Sequence, residues 1–307
     1  MNKILVAGGT GFVGKALVSH LRANGYDPIT LSRSGIMLPD KVIRLDSEGL
    51  VPAEVLSDCY GIVNLAGENI AQRWTSSVKT GILSSRIETT NRITAALRRN
   101  RQAGLPLPSV LVNASAVGYY GVRTLGIQTE ESPSGEGFLA SVCRQWEQAA
   151  AAAVEDGVRV VVFRFGLVLG HGGGILAEIE KPFQFRVGGV IGSGEQHMSW
   201  VHNKDLVRAI QLALDRVEMQ GAYNLTSPHP VSMAEFTRCV GKELGRRSWT
   251  KVPAFIAKII FGEMAEELLL ADQQVAPKRL LEQGFTFSFP EISAAVADIY
   301  KSASTPH

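Results

Sequence analysis

The stretch NASAVGYYG, residues 113–121, brings one serine and two adjacent tyrosines together just past the apolar run 110–112. A serine hydroxyl can polarise a substrate oxygen, and a phenol can give or take a proton. Ser115, Tyr119 and Tyr120 are therefore the candidate catalytic residues. A second stretch, ILVAGGTGFVGKAL, carries Gly8, Gly11 and Gly14 in the spacing G-x-x-G-x-x-G, directly after a strand-like run and opening a helical pattern. Glycine is needed where the chain turns tightly and where backbone must approach a pyrophosphate. The helix N-terminus behind it offers free N–H groups and its dipole to the anion. Thr10, Phe12 and Val13 complete this candidate cofactor turn.

Two further places bear on the cofactor. The second strand-like run ends in TLSRSG, with Ser32 and Arg33 where dinucleotide folds that choose NAD usually carry an acid for the ribose 2′-hydroxyl. An arginine there can pair with a 2′-phosphate and stack on adenine, so NADP (NADPH) is expected over NAD. After the fourth run, Asn64 is followed by Leu65, Ala66 and Gly67, small or apolar residues where the sheet edge would face the cofactor ribose.

The elements that must position these groups are legible in the hydrophobic pattern. Runs at 4–7, 28–31, 42–45, 62–65, 110–112 and 158–163 read as strands apolar on both faces, and helical patterns occupy roughly 12–24, 76–101 and 139–154. Such alternation predicts an α/β fold, a Rossmann-type doubly wound parallel sheet. After about residue 169 the texture becomes glycine- and proline-punctuated. Residues 1–168 are expected to form the cofactor domain, with some later segments packing back on it, and 169–307 mainly a smaller α+β substrate lobe.

With 307 residues the chain can bury a substantial core. A net charge of +2 implies neither nucleic acid nor an anionic membrane as partner. The three scattered cysteines suit a reducing compartment, and MNKILVAGG leaves no room for a signal peptide, so a cytoplasmic protein is expected. The basic cluster Arg98, Arg99, Arg101 closes the long helical pattern where positive charge complements the helix dipole.

GGTGFVG, NLAG and the serine ending the fifth run together resemble the short-chain dehydrogenase/reductase superfamily. WVHNKDL, residues 200–206, resembles its extended, sugar-nucleotide-epimerase-like branch. NLAGENI, SRIETT, SAVGYYG, RFGLVLGHGGG, GGVIGSG and PKRLLEQGF resemble one atypical subgroup of it, the epimerase family proteins, some of which carry the name of a cell-division inhibitor. The resemblance implies a Rossmann domain binding NADP and a lobe for a small-molecule substrate. It places Leu167 at the nicotinamide end, Trp200 and His202 at the substrate cleft or fixing the second lobe on the first, and Arg86 where extended members carry a helix asparagine. That cation would meet cofactor phosphate or ribose, or a substrate anion; a surface ion pair with Glu88 is the alternative.

The superfamily's chemistry uses a tyrosine with a lysine four residues on, which lowers the phenol's pKa and holds the ribose. Four residues beyond Tyr26, Tyr60, Tyr119, Tyr120, Tyr223 and Tyr300 stand Thr30, Asn64, Arg123, Thr124, Ser227 and Ser304, so the pair is absent. Its two positions fall on Leu139 and Cys143, and Arg144 and Glu147 beyond them read as helix-surface charge. Two functions follow: an NADP-dependent oxidoreductase or epimerase using Ser115 with a nearby tyrosine or water, or a catalytically silent NADPH-binding regulator read by a protein partner. A homodimer through the helical patterns 76–101 and 139–154 is the oligomeric expectation.

LGHGGG, residues 169–174, imitates a lipase oxyanion loop, but no G-x-S-x-G elbow accompanies it, and hydrolysis is rejected. Its glycines are expected to form a mobile loop leading into the second lobe. His197, His202 and Asp205 lack metal-ligand spacing, and no metal is expected.

Overall fold

A computed structural model of the chain describes residues 1–31, 42–174, 176, 180, 183, 189–246 and 250–303. Ser32 and Arg33 lie outside them. The strands are β1 Lys3–Ala7, β2 Asp27–Leu31, β3 Val42–Ile43, β4 Gly61–Asn64, β5 Val110–Ala116, β6 Arg159–Phe165, β7 Leu167–Leu169, β8 Gly189–Ile191, β9 His197–Met198, β10 Trp200–His202, β11 Gly221–Leu225, β12 Val231–Ser232 and β13 Thr250–Val252. Four helices matter for the site: α1 Phe12–Ala23, α2 Ala53–Asp58, α3 Ser76–Gln102 and α4 Phe138–Ala151.

Seven strands form one sheet in the order β11-β6-β5-β4-β1-β2-β3, and every pairing in it is parallel. Successive side chains of β1 point to opposite faces. Ile4 and Val6 join Leu17, Val18 and Leu21 of α1 in one core cluster. Leu5 and Ala7 join Ile62, Leu97 and Leu111 in the other. Both faces are thus covered, which is why the strands read as unbroken apolar runs. Each fully buried aliphatic side chain contributes roughly 1.5–3 kcal/mol.

From β1 the chain moves through α1 to β2 on one side, while β4 pairs with β1 on the other. Order reverses between β1 and β4, and a crevice opens there at the carboxyl ends of the strands, where open α/β sheets bind ligands. The strand expectations differ from the structure in two instructive ways. β5 continues past the apolar run to Ala116, which keeps Ser115 near the end of the strand. The seventh strand, β11, comes from the second half of the chain and pairs with β6. Helix Asn203–Asp215 likewise packs on α1.

The rest of the second half builds its own core, in which Leu169, Met198, Trp200, Phe236, Ile292 and Val296 meet. Three two-stranded ladders frame it: β7 with β10, β8 with β13, and β9 with β12. Among the described residues no helix is long and apolar enough to cross a membrane.

Candidate functional site

The turn after β1 is built by what its glycines lack. Gly8 has a left-handed φ of 82°, and a Cβ there would come within 2.9 Å of the Leu65 carbonyl. A Cβ on Gly14 would overlap the Gly8 carbonyl oxygen. Helix α1 therefore seats directly on the turn, with Gly11 N–H donating to Gly8 O at 3.0 Å. No side chain caps the α1 N-terminus and no acid stands in its first turn, which leaves its dipole available to an anion.

Opposite this turn, Asn64 fixes the loop after β4. Its amide donates to Thr90 Oγ1 at 2.9 Å and to Asn113 Oδ1 at 2.7 Å, while its Oδ1 accepts from Ala66 N–H. Between the two loops lies a cavity of about 300 Å³. Of the expected cofactor residues, Gly8, Thr10, Gly11, Leu65, Ala66 and Gly67 line it. Leu31, Leu45, Thr89 and Arg92 also line it and were not singled out in the sequence. Their signal is weak, because only the parallel register brings β2, β3 and α3 to the same crevice. The cavity, the glycine cradle and the free helix end fit a dinucleotide. A shallower depression of about 510 Å³ between α2 and Leu105–Pro106 sits at the strands' opposite ends.

Phe12, Val13 and Gly14 do not line the cavity. Val13 packs on the core, and Gly14 is needed for close packing. The Phe12 ring turns instead to the glycines of LGHGGG. A Cβ on Gly170 would lie 2.8 Å from its Cζ, and Gly173 and Gly174 face the same ring. These glycines make a seat for an aromatic ring. Leu167 opens β7, its N–H donating to Ser199 O at 2.8 Å, and packs against the second lobe's core.

Ser115 is 2 % exposed, and the sheet register sets it opposite Arg164 on β6, which in turn stands opposite Asn224 on β11. Ser115 Oγ donates to Glu147 Oε1 at 2.7 Å. Arg164 grips the same carboxylate through Nε at 2.9 Å and Nη2 at 2.8 Å. Glu147 is thus not helix-surface charge, as the sequence had led us to expect, but half of a buried bidentate pair. Burial alone would weaken the Arg164 charge, and the Glu147 carboxylate more than offsets that, raising its pKa. Two signals mark the pair: an arginine inside the apolar strand RVVVFRF, and the Leu139–Cys143–Glu147 spacing that shares one helix face.

Tyr120 belongs to this network. Its hydroxyl accepts from Arg164 Nη1 at 2.9 Å and lies 2.7 Å from Asn224 Oδ1 and 3.0 Å from Thr129 O. Burial pushes the phenol's pKa up, although Arg164 works against it. With all its positions engaged, Tyr120 fits a structural hub better than the acid expected of it. Tyr119 is half-buried, and its ring lies under the Arg164 guanidinium at 3.4 Å.

Leu139 and Cys143 are both buried on α4. Burial pushes the Cys143 thiol up to about 11, and these two positions of α4 offer neither phenol nor cation. The alternative, an Arg86–Glu88 pair, does not form, since Glu88 approaches Arg92 at 3.9 Å. Arg86 instead donates to Ile82 O at 2.9 Å and Glu68 O at 3.1 Å, with its guanidinium 5.2 Å from the Trp146 ring centroid.

The cleft placement of Trp200 and His202 needs correction. Trp200 is 1 % and His202 3 % exposed. Trp200 Nε1 donates to His229 O at 3.0 Å. His202 Nδ1 caps the following helix by accepting from Lys204 N–H, and its ring stacks on Phe289 at 4.1 Å. An indole and an imidazole so enclosed hold the lobe together. His197 faces Asp272 at 3.1 Å, His202 faces Asp298 at 3.4 Å and Asp205 binds Arg208. Those three side chains therefore have separate partners.

The profile of the NAD dependent epimerase/dehydratase family matches residues 4–226, and that of a domain of unknown function, DUF1731, matches residues 252–299. The chain is 40 % identical over 302 residues to the chloroplastic epimerase family protein SDR39U1 homolog of Arabidopsis thaliana, covering 96 % of this chain and 86 % of that one. The crystal structure of the human epimerase family protein SDR39U1 (isoform 2) with NADPH is 35 % identical and superposes with a TM-score of 0.87, over 97 % of this chain and 99 % of the human one. The UDP-glucose 4-epimerase of Thermus thermophilus with NAD, 18 % identical with a TM-score of 0.73 over 98 % and 99 % of the two chains, shares the fold. By family profile, relatives and architecture alike, this chain belongs to the NAD dependent epimerase/dehydratase family.

Proposed function

We propose that this protein is an NADPH-binding oxidoreductase of the epimerase type acting on a small molecule, with Ser115 as the residue that contacts the substrate oxygen. The observation that carries this reading is the Ser115–Glu147–Arg164 arrangement, with Ser115 on the strand next to β4, whose following loop lines the cavity. The human relative's NADPH supports the choice of cofactor. Gly8, Thr10 and Gly11 would hold the pyrophosphate, Leu65, Ala66 and Gly67 the adjoining ribose, and Ser32 and Arg33 the 2′-phosphate. When bound, NADPH supplies a hydride donor.

The hydrogen of Ser115 is directed at Glu147, which leaves the lone pairs of its oxygen to accept. That orientation accepts a hydrogen bond from a substrate hydroxyl. Polarising a carbonyl requires the hydroxyl to rotate off Glu147, which keeps Arg164 as its remaining partner. Tyr119, or a water beside it, is the proton carrier in this reading. The three cysteines, none of them paired with another, fit a cytoplasmic setting, which is part of the proposal.

A second reading has its own observation. Leu139 and Cys143 leave α4 without the tyrosine and lysine of the superfamily's chemistry, which favours a silent NADPH-binding regulator recognised by a protein partner or by a second copy of the chain. One experiment separates the two. NADPH and NADH binding are measured by fluorescence, followed by NADPH oxidation across a panel of aldehydes, ketones and nucleotide sugars. Turnover supports the oxidoreductase, tight NADPH binding with none supports the regulator, and no binding of either nucleotide rejects both. Arg33→Ala is expected to erase the preference for NADPH over NADH.

A further inference from the structure

The protein surroundings of the Arg86 guanidinium leave several of its donors without a partner among the described residues. It has five N–H donors, of which two reach the Ile82 and Glu68 carbonyl oxygens. Among the described residues no carboxylate pairs with it, and Glu88 is turned to Arg92. The guanidinium is half-buried and feels the Glu68 charge without a direct ion pair, so its remaining donors are available to a further partner. Its position shows where that partner can come from. Gly67 lines the cofactor cavity, and a Cβ added there would lie 2.9 Å from Arg86 Cζ, 3.1 Å from Nη2 and 3.2 Å from Nε. The guanidinium thus packs directly against a residue that lines the groove. Behind it, Trp146 backs the cation.

The neighbouring helix explains why a cation is needed from this side. By the superfamily resemblance, Cys143 of α4 occupies the lysine's position, and its thiol, buried and held at 3.6 Å from Ala116 O, is too short to reach a ribose. The charge of Arg86 is felt at Cys143. We propose that Arg86 supplies, from α3, the cation that holds the ribose hydroxyls at the nicotinamide end of the bound dinucleotide, taking the place of the lysine that α4 lacks at position 143. The lysine's role has moved to another helix. This rests on the NADPH-binding reading above.

The test compares two ligands by isothermal titration on the full chain: NADPH, and adenosine 2′,5′-bisphosphate, which lacks the nicotinamide riboside. Arg86→Met is expected to weaken NADPH about tenfold or more, the loss of charge-assisted hydrogen bonds, and to leave the bisphosphate within about twofold, which also shows that the variant is folded. Arg86→Lys is expected to retain most of the NADPH affinity. Adding Cys143→Lys to Arg86→Met is expected to recover NADPH binding. Unchanged NADPH affinity in Arg86→Met, or equal losses for both ligands, overturns the proposal. So does a double variant that binds the bisphosphate normally and shows no recovery. A wild-type chain that binds neither ligand rejects the NADPH reading itself.

Discussion

Ser115 and Arg164 stand opposite one another on neighbouring parallel strands, and both bind the carboxylate of Glu147. Sheet register and one helix face thus meet at one anion. A strand slip of one residue would turn Ser115 or Arg164 to the other side of the sheet.

The Glu147–Arg164 pair is nearly dry, with side-chain exposures of 16 % and 5 %. Glu147→Ala leaves the Arg164 charge buried without its partner, and a loss of about 3–5 kcal/mol is expected. Urea unfolding of the ligand-free protein measures it. A change below about 1 kcal/mol would mean that water replaces the carboxylate and that the pair is not structural.

Ser115 touches Glu147 through a single hydroxyl hydrogen, so its removal leaves the bidentate pair intact. Ser115→Ala is expected to keep NADPH binding and thermal stability near wild type while lowering turnover on any substrate found by about 10²-fold or more. Tyr119→Phe lowers turnover only if the phenol carries the proton. Tyr120→Phe, which removes a buried hub hydroxyl, is expected to cost about 1–3 kcal/mol of stability instead. Equal kinetic effects from all three would contradict the separation of roles.

Gly14→Ala drives a methyl group into the Gly8 carbonyl and displaces α1 from the turn. Loss of NADPH binding is expected, together with a lower unfolding midpoint. Gly25→Ala serves as a control because nothing lies within 4 Å of a Cβ there. Its own left-handed φ of 82° confines its effect to local strain of about 1 kcal/mol. If both variants bound NADPH normally, the cradle would not be a cofactor site.

Burial lowers His202 to about 4, with Asp298 working the other way. A neutral imidazole is therefore the folded form, and the unfolded chain binds its proton more readily. Stability from this residue is complete above the unfolded value near 6.5. It falls as pH drops from about 6.5 to about 4, by roughly 3 kcal/mol in all. His202→Gln is expected to flatten the unfolding midpoint over that window, read by thermal melts at intervals of half a pH unit.

How much of this was legible beforehand follows from how local each signal is. The glycine turn, the six core strands of the first half and the helices beside them depend on periodicities of two and 3.6 residues and on near neighbours. The sequence therefore determined the doubly wound sheet, the cofactor turn and the absence of a tyrosine–lysine pair. Other features depend on contacts between distant segments, and only the tertiary structure decided them. β11 completes the sheet from residues 221–225, and α3 brings Arg86 against Gly67. The parallel register of β5, β6 and β11 aligns Ser115, Arg164 and Asn224 across three strands. Glu147 read as surface charge because a helix pattern shows which face a residue occupies, and not which neighbour waits there. A buried charge is stable only where its counter-charge arrives from elsewhere in the chain, and here that partner is seventeen residues away on β6.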